Sequence, residues 1–590
     1  MFEAVMIEKQ PGLPKGASAG VSSGELAKFR HAWAPRVVAL AVLLTALLDL
    51  ISALTPAQHS RLHLLRQHVP GGVVNASTAI TVATSIVLVM LARGLRRRKK
   101  RAWVVTVLLL SVTVGLHLLK GLDFEEAVVN VLLVGALVAL RRDFYALGDP
   151  RTRWRGVGVG SLLLLSSVVT GMALVGLRED ALHEPYNAFT VLRHVLLGMI
   201  GVSGPIDWNA DRYGMRTEIL VGDVMLALGV MTALVTAYLL LRPAEPAPGF
   251  TDDEEVKIRQ LLASHGNQYS LGYFALRQDK SVIFSPSGKS GVAYRVLSGV
   301  MLSSGDPLGD PEAWPGAIRE FLAEADRHAW TPAVMGCGQE AGTVWERAGL
   351  SVLEIGDEAV LEVESFSLQG RAMRGVRQAV NRAERAGFIT RVVRVEDLDK
   401  DEAALLADKA AAWRGADTER GFSMALGRLG DPRDSGCVTV LAYRGGVMCA
   451  FLHLVPWGAD GLSLDLMRRD RDCENGINEL LIVRVLEGAA VLGVTRISLN
   501  FAVFRSALEQ GERLGAGPAV RAWRGLLVFA SRWFQIDSLY RFNIKFRPVW
   551  EPRYLCYPTS RDLSRVAFAA LKAEGFITAP KLPWSKNRRG

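Results

Sequence analysis

Six apolar runs occupy residues 34–241: Ala34–Leu54, Val73–Leu95, Trp103–Leu119, Ala127–Leu140, Val157–Leu177 and Ile219–Leu241. A helix crossing a bilayer core needs about 20 apolar residues, so this part is expected to be an α-helical membrane bundle of about six spans. The fourth run is short for a span. Val191–Val202 is shorter still, lies between His183-Glu184-Pro185 and Gly204-Pro205, and reads equally as a re-entrant piece or a seventh span. Basic loops follow the second run (RGLRRRKKRAW) and the fourth (RRDFYALGDPRTRWR). Loops rich in Lys and Arg stay on the cytoplasmic side, which puts the N-terminal tail (1–33) and everything after the sixth run in the cytoplasm. Residues 1–23 have no apolar core, so no cleavable leader is expected. Asp49 and Asp223, inside runs, and His117, near the end of one, are costly in lipid and therefore candidates for function.

The remaining composition excludes several classes. Residues 1–250 carry 25 Lys+Arg against 17 Asp+Glu, which leaves 44 against 42 in the rest. The soluble part is close to neutral, so nucleic-acid binding would need a local patch. The five cysteines lie beyond residue 336 without a CxxC, and the ten histidines form no HExxH. No metal and no cofactor is expected, and a reducing compartment is favoured. SGKS (Ser287–Ser290) lacks the glycine of a phosphate loop at Ile283. The spacing of an acyl-CoA pyrophosphate loop occurs only at Arg153–Gly158, where a span opens.

LRPAEPAPGF leads into the soluble part through a Pro-rich linker (242–250), and Thr251 is placed to cap a helix. Strands and helices then mix through about residue 365. The pattern predicts helices over Trp314–His328 and Glu340–Ala348, a strand at Pro332–Gly336 and a strand pair around Leu353–Val363. A second stretch (366–590) repeats the plan. It has helices over Arg371–Ala386, Glu402–Trp413 and Ile477–Leu492, with strands at Thr390–Val395, Cys437–Tyr443, Val447–Val455, Leu462–Met467 and Arg496–Leu499. Two α/β units of ordinary domain size are expected.

Within the second unit, LSLDLMRRDRDCENGINELL (Leu462–Leu481) combines an apolar-flanked carboxylate, Asp465, with Arg468 and Arg469. The break at Asn475-Gly476 and a helix bearing Glu479 follow. A strand end, a turn and a helix together aim polar groups at a ligand. RAMRGVRQAVNRAER puts Arg371, Arg374, Arg382 and Arg385 on one broad helix face, suited to phosphate contacts or simply solvated. SLYRFNIKFRPVWEPRYL interleaves Arg541, Lys545, Arg547 and Arg553 with aromatics, a mixture that suits stacked bases, a headgroup boundary or ordinary packing.

Eight segments carry a resemblance in order along the chain: KGLDFEEA (Lys120–Ala127), SGDPLGD (Ser304–Asp310), GDEAVLEV (Gly356–Val363), RQAVNRAERAGF (Arg377–Phe388), ERGFSMALGRLGD (Glu419–Asp431), LSLDLMRRD (Leu462–Asp470), SLNFAVF (Ser498–Phe504) and RFNIKFRPVWEPRYL (Arg541–Leu555). Together they resemble the aminoacyl-phosphatidylglycerol synthases of the multiple peptide resistance factor family. The resemblance implies two tandem acyltransferase-like (GNAT-type) folds, residues 251–365 and 366–590, on the cytoplasmic side of the cell membrane. It also implies transfer of an aminoacyl group, lysyl by preference, from aminoacyl-tRNA to the headgroup hydroxyl of phosphatidylglycerol. Such transfer lowers negative surface charge and gives resistance to cationic peptides. The expected partners are aminoacyl-tRNA, phosphatidylglycerol and the membrane, with a homo-oligomer also considered. Six spans fall short of the long members with a flippase bundle, and no synthetase of the kind in the fused versions is expected after residue 590.

On this reading the catalytic candidates are Asp465, orienting the aminoacyl ammonium or accepting a proton, Arg468 on phosphate or oxyanion, and Lys545. Glu419, Arg420, Ser423, Glu479, Asn475, Asn500 and Arg553 are substrate-binding candidates, with Glu479 also able to pair with Arg468. Arg371, Arg374, Arg382 and Arg385 are candidates for tRNA contact. The competing readings are a lipid flippase or transporter with a regulatory soluble domain, alanyl, arginyl or ornithyl transfer to another lipid, and a CoA-dependent N-acyltransferase.

Overall fold

The computed structural model describes residues 23–54, 71–121, 124–146, 150–209, 212–241, 246, 248–415, 421–503 and 536–577. Glu419 and Arg420 lie outside the described residues. The chain forms two compact units, Met1–Arg242 and Pro243–Gly590.

The first unit is helical: α1 (Ser23–Leu54), α2 (Gly71–Arg96), α3 (Lys100–Gly121), α4 (Phe124–Ala139), α5 (Pro150–Gly176), α6 (Ala188–Met199) and α7 (Arg212–Leu241). Each of the six apolar runs falls on a helix. Among the described residues, three segments are long and apolar enough to cross a membrane: Ala34–Ile51, Val157–Gly176 and Tyr213–Leu239. In α4 the apolar stretch is only Ala127–Ala139, shorter than a span requires. The twelve-residue α6 is also too short. It starts where Asn187 caps the Thr190 N–H at 2.8 Å and packs by His194, Val195 and Met199. Gly229 of α7 allows close approach, since a Cβ there would fall on the Met199 carbonyl. Asp49 is buried and Asp223 exposed.

The second unit is built on one twelve-stranded mixed sheet. The Thr251 cap is present, with Glu254 returning the bond in a capping box, and it opens α8 (Asp252–His265). There follow β1 (Ser281–Phe284), β2 (Ser290–Leu297), β3 (Val300–Ser304), β4 (Leu308–Gly309), α9 (Trp314–His328), β5 (Thr331–Cys337), α10 (Gln339–Arg347) and β6 (Ser351–Glu362). The expected strand pair at Leu353–Val363 is instead this single twelve-residue strand. Gly356-Asp357 makes no turn there, because both residues are held between β11 and β12. The chain continues with α11 (Arg374–Arg385), β7 (Phe388–Arg394), α12 (Lys400–Arg414), β8 (Val438–Arg444), β9 (Val447–Trp457), β10 (Gly461–Arg469) and α13 (Ile477–Leu492). The last elements are β11 (Arg496–Val503), α14 (Ile536–Asn543), β12 (Val549–Tyr557) and α15 (Leu563–Ala573).

The spatial order is β1-β2-β3-β5-β12-β6-β11-β10-β9-β8-β7, with β4 paired to β2. Two β-α-β crossovers stand out, β3-α9-β5 and β10-α13-β11, each joining parallel neighbours. The centre of the sheet is exchanged: β6 leaves the first crossover to pair with β11, while β12 returns to sit between β5 and β6. Ala359 and Leu361 of β6 pack in the same core as Leu480, Val483 and Ile497 of the second crossover. Leu555 of β12 and Val566 of α15 pack with Leu302 and Ala333 of the first. Neither crossover buries its apolar face without a strand from the other.

Candidate active site

Strands β10 and β11 part company at their C-terminal ends, where ligands commonly bind in sheets with parallel strands. They pair only from Gly461↔Arg496 to Ser463↔Ser498. Beyond that β10 is irregular between Leu464 and Leu466, and β11 between Ser498 and Phe501. Asn500 sits in the second irregularity at φ 66°, a left-handed conformation that Asn tolerates better than most side chains. The two irregularities open a fork whose root carries Asp465 and Asn500.

Buried polar side chains cross the sheet at this level, at least one per strand over five neighbouring strands. On β12, Arg553 ion-pairs with Glu358 of β6, and Glu358 accepts from the Ser498 hydroxyl of β11. The Ser498 oxygen in turn accepts from the Asn500 N–H at 3.1 Å. The Asn500 amide donates to the Leu464 carbonyl of β10, next to Asp465. Asp465 Oδ1 accepts from the Leu426 N–H at 2.6 Å, and Oδ2 lies 2.7 Å from His453 Nδ1 on β9. All of these side chains are buried. A carboxylate on its Nδ1 side favours the tautomer that donates from Nδ1 and leaves Nε2 as an acceptor. Among the described residues, His453 Nε2 and Asn500 Oδ1 have no hydrogen-bond partner. Buried polar atoms are rarely left in that state, so this is where a ligand's polar groups find open valences.

The structure places the sequence candidates in several different settings. Asp465 and Asn500 meet at the fork. Arg468 is the next-to-last residue of the same strand, opposite Phe451 in register. Glu479, in the first turn of α13, pairs with Lys545 Nζ at 2.9 Å rather than with Arg468, because the turn before β12 brings the lysine over the helix start. Lys545 also lies 5.4 Å from the Phe542 ring centroid. Asn475 is exposed in the turn before α13. Arg553 does not reach a surface where phosphate could meet it, being buried against Glu358 with its charge neutralised there. Ser423 is buried too, and its hydroxyl is taken by Glu574 at 2.8 Å. The exposed Arg371, Arg374, Arg382 and Arg385 make no ion pair among the described residues, which suits them to an anionic partner.

Glu358, Ser498 and His453 are members of the polar line that sequence reasoning missed. The available signal was weak but present: His453 is the one basic side chain inside the apolar strand VMCAFLHLVPW. Cavities in this unit lie away from the fork. One of about 370 Å³ is lined by residues including Glu362, Gln369, Met373, Phe546 and Arg547, and one of about 190 Å³ by Arg259, Tyr269, Tyr273 and Pro456 among others. Asp465 lines neither of them.

An apolar helical unit followed by a mixed-sheet unit with a buried polar fork describes a membrane-associated α/β protein. Comparison with known families makes that specific. Residues 259–557 match the family model of the phosphatidylglycerol lysyltransferase C-terminal domain, and residues 30–241 match that of the transmembrane region of lysyl-tRNA synthetase. The chain belongs to the phosphatidylglycerol lysyltransferase family and is a membrane protein. It is 39% identical over 586 residues to the lysylphosphatidylglycerol biosynthesis bifunctional protein LysX of Rhodococcus jostii, covering 98% of this chain and 51% of that one. With the protein of the same name from Mycolicibacterium vanbaalenii it shares 40% over 555 residues, 93% of this chain and 50% of the relative. The chain spans about half the length of the curated relatives it matches. Among solved structures it is similar to L-PGS from Bacillus licheniformis, at 21% identity and a TM-score of 0.48, covering 56% of this chain and 99% of the other.

Proposed function

We propose that this chain transfers an aminoacyl group, lysyl by preference, from aminoacyl-tRNA to the headgroup hydroxyl of phosphatidylglycerol. The membrane unit is multi-pass with about six spans, and the catalytic unit faces the cytoplasm as two tandem acyltransferase-like halves. The observation that carries the reading is the polar line ending at Asp465 and His453, at the root of a strand fork inside the region that matches the lysyltransferase family.

The reaction exchanges one ester for another. The lipid hydroxyl oxygen bonds to the carbonyl carbon of the aminoacyl ester, and the bond from that carbon to the tRNA ribose oxygen breaks. The proton lost by the lipid hydroxyl ends on the ribose oxygen. A base within hydrogen-bond reach accelerates the first proton transfer. His453 Nε2 takes that role, held by Asp465 through Nδ1, while Asp465 also supplies negative charge for the aminoacyl ammonium. Asn500 Oδ1 accepts one ammonium N–H. Arg468 meets the lipid phosphate or the developing oxyanion, as preorganised cations do in acyl transfer. Lys545, loosely held by Glu479, approaches the tRNA terminus, with Asn475 at the rim. The exposed arginines on and before α11 grip tRNA phosphates, and Arg553 keeps the line in place from behind.

The test is a lipid assay on membranes carrying the full chain, with tRNA separately charged with labelled lysine, alanine and arginine. Label entering a chloroform-soluble lipid, and lost after ribonuclease, is the expected result and names the amino acid. No label from any of the three overturns the reading and turns attention to a transport function of the membrane unit.

A further inference from the structure

Residues 421–428, GFSMALGR, have no helical or strand structure, yet charged groups remote in sequence hold them at nearly every residue. The Glu574 carboxylate, just past α15, accepts from the Phe422 N–H at 2.7 Å, the Ser423 N–H at 3.1 Å and the Ser423 hydroxyl at 2.8 Å. Its own carbonyl accepts from the Gly421 N–H at 3.2 Å. Arg277 donates to the Gly421 and Ala425 carbonyls and is itself braced by Asp279 at 2.5 Å. Lys280, fully buried, sets its Nζ 4.6 Å from the Phe422 ring centroid. That ammonium donates to the Phe274 carbonyl at 3.0 Å and the Ser304 hydroxyl at 2.6 Å. Arg428 closes the far end on Asp434 at 2.7 Å. Between these fixings, the Leu426 N–H points at Asp465.

The segment belongs to the second half of the chain by sequence, but Phe422 and Leu426 pack in the core around β3, β5 and α15. It therefore ties the catalytic fork to the opposite half of the sheet. A chain without its own secondary structure has no internal ladder to fix an N–H, so its neighbours must do so. Here the Glu574 carboxylate takes two of the N–H groups, Arg277 takes two of the carbonyls, and Lys280 sits against the Phe422 ring.

We propose that Arg277, Lys280 and Glu574 are positioning residues for the transfer reaction: they hold residues 421–426 as a strap that sets the orientation of Asp465, and through it His453, by way of the Leu426 N–H. This rests on the aminoacyl-transfer reading. None of the three touches the reacting atoms. Their effect is on the geometry of the dyad, where a misplacement of about 1 Å costs roughly 10²-fold in rate.

The test uses the full chain in detergent, with lysyl-tRNA and phosphatidylglycerol micelles. Glu574→Gln turns an acceptor-only carboxylate into an amide whose NH2 donor must face one of the two N–H groups, of Phe422 or Ser423. The expected result is a kcat lower by about tenfold to 10²-fold, KM for both substrates unchanged, and faster hydrogen exchange of the Leu426 amide. Glu574→Asp restores part of the rate. An unchanged kcat, a change confined to KM, or unaltered exchange at Leu426 overturns the proposal. If Glu574→Gln does not fold, Phe422→Leu decides on the same readouts, because it keeps an apolar core and removes the ring beneath Lys280. If the wild-type chain moves no amino acid onto lipid, the functional reading fails, while exchange at Leu426 still decides whether Glu574 holds the strap.

Discussion

In the first β-α-β half, β3 and β5 stay paired over five residue pairs, from Val300↔Thr331 to Ser304↔Met335. In the second, β10 and β11 stay paired over three and then diverge. Each half puts a buried aspartate two residues beyond the last parallel pair of its leading strand, and each aspartate accepts a backbone N–H, Asp306 from Gly338 at 2.7 Å and Asp465 from Leu426 at 2.6 Å. The surroundings differ. Asp306 is walled in: Tyr269 donates to the Gly336 carbonyl at 2.5 Å, and a Cβ at Gly305 would collide with the Tyr269 ring. Asp465 instead sits with Asn500 Oδ1 and His453 Nε2, which have no hydrogen-bond partner among the described residues. The same plan has become a closed clamp in one half and an open fork in the other. The closed half supplies Arg277 and Lys280, which steady the open one.

The seam between the halves is the most costly place to cut. Glu358→Gln leaves the buried Arg553 guanidinium with only the more exposed Glu551, 3.2 Å away, as counter-charge, and removing one partner of a buried pair costs up to about 3–5 kcal/mol. Chemical denaturation should show that loss. A change below about 1 kcal/mol, the range of an exposed pair, would mean that the halves are not joined through Arg553. Next in size is the contrast between the two aspartates. Asp465→Asn is expected to lower lipid aminoacylation by about 10²-fold or more, the usual share of a proton-transfer group, while Asp306→Asn leaves the rate within about twofold, because it meets the polar line only at Arg553, its far end. Equal losses in the two variants would break the comparison.

How much of this was legible in the sequence follows from the range of the forces involved. The limits of α9 and α13 agree with expectation to the residue, because helix periodicity and end signals are local. The Thr251 cap was legible for the same reason. The exchange of β6 and β12 was not, since which strand lies beside β5 is decided by pairing across some two hundred residues of chain. Asp465, Asn500 and Arg553 were singled out and lie on the polar line, but the buried setting of Arg553 is invisible to composition. Glu358 and Ser498 were inside quoted motifs, yet in a strand a buried polar residue has the same alternation as an exposed one. Arg277, Lys280 and Glu574 carried no local signal at all. They act on a segment more than a hundred residues away.

The clamp half also carries the clearer pH signature. Burial pushes the Asp306 carboxyl up from 3.8 to about 6, against the opposing pull of the Gly338 N–H and Arg553. Burial holds the Lys280 ammonium down, from 10.5 to about 7, with Arg277 adding to the shift and Asp279 and Glu574 opposing it. A raised acid contributes stability that is full below its unfolded value and lost as pH rises through its folded one. The Asp306 contribution therefore declines between pH 3.8 and about 6. A depressed base contributes stability that is full above its unfolded value and lost as pH falls through its folded one. The Lys280 contribution therefore grows from pH about 7 to 10.5. Difference curves of melting temperature against pH should flatten in the lower window for Asp306→Asn and in the upper for Lys280→Met. A Lys280→Met variant that tracks wild type from pH 7 to 9 would show that the folded lysine keeps its proton through that range, against the depressed value.

The smallest effect sought concerns the helices that open the two halves. The first turn of α8 is acidic, with Asp252 and Asp253 exposed, whereas Arg374, Arg382 and Arg385 are exposed along α11. A polyanion grips the second helix and avoids the first. Each phosphate neutralised by an arginine releases condensed counterions, so removing one such contact lowers the salt slope of binding by about 1. Arg382→Ala should raise KM for aminoacyl-tRNA a few-fold, a penalty that shrinks as salt rises, and leave KM for the lipid unchanged. Asp252→Ala, by the same reasoning, should leave tRNA binding unchanged or tighten it slightly. If both substitutions weaken tRNA binding alike, the acceptor end lies across the two halves and the clamp is part of the binding surface. If Arg382→Ala alters only the lipid KM, the basic face belongs to the membrane surface, and the tRNA must enter by Lys545.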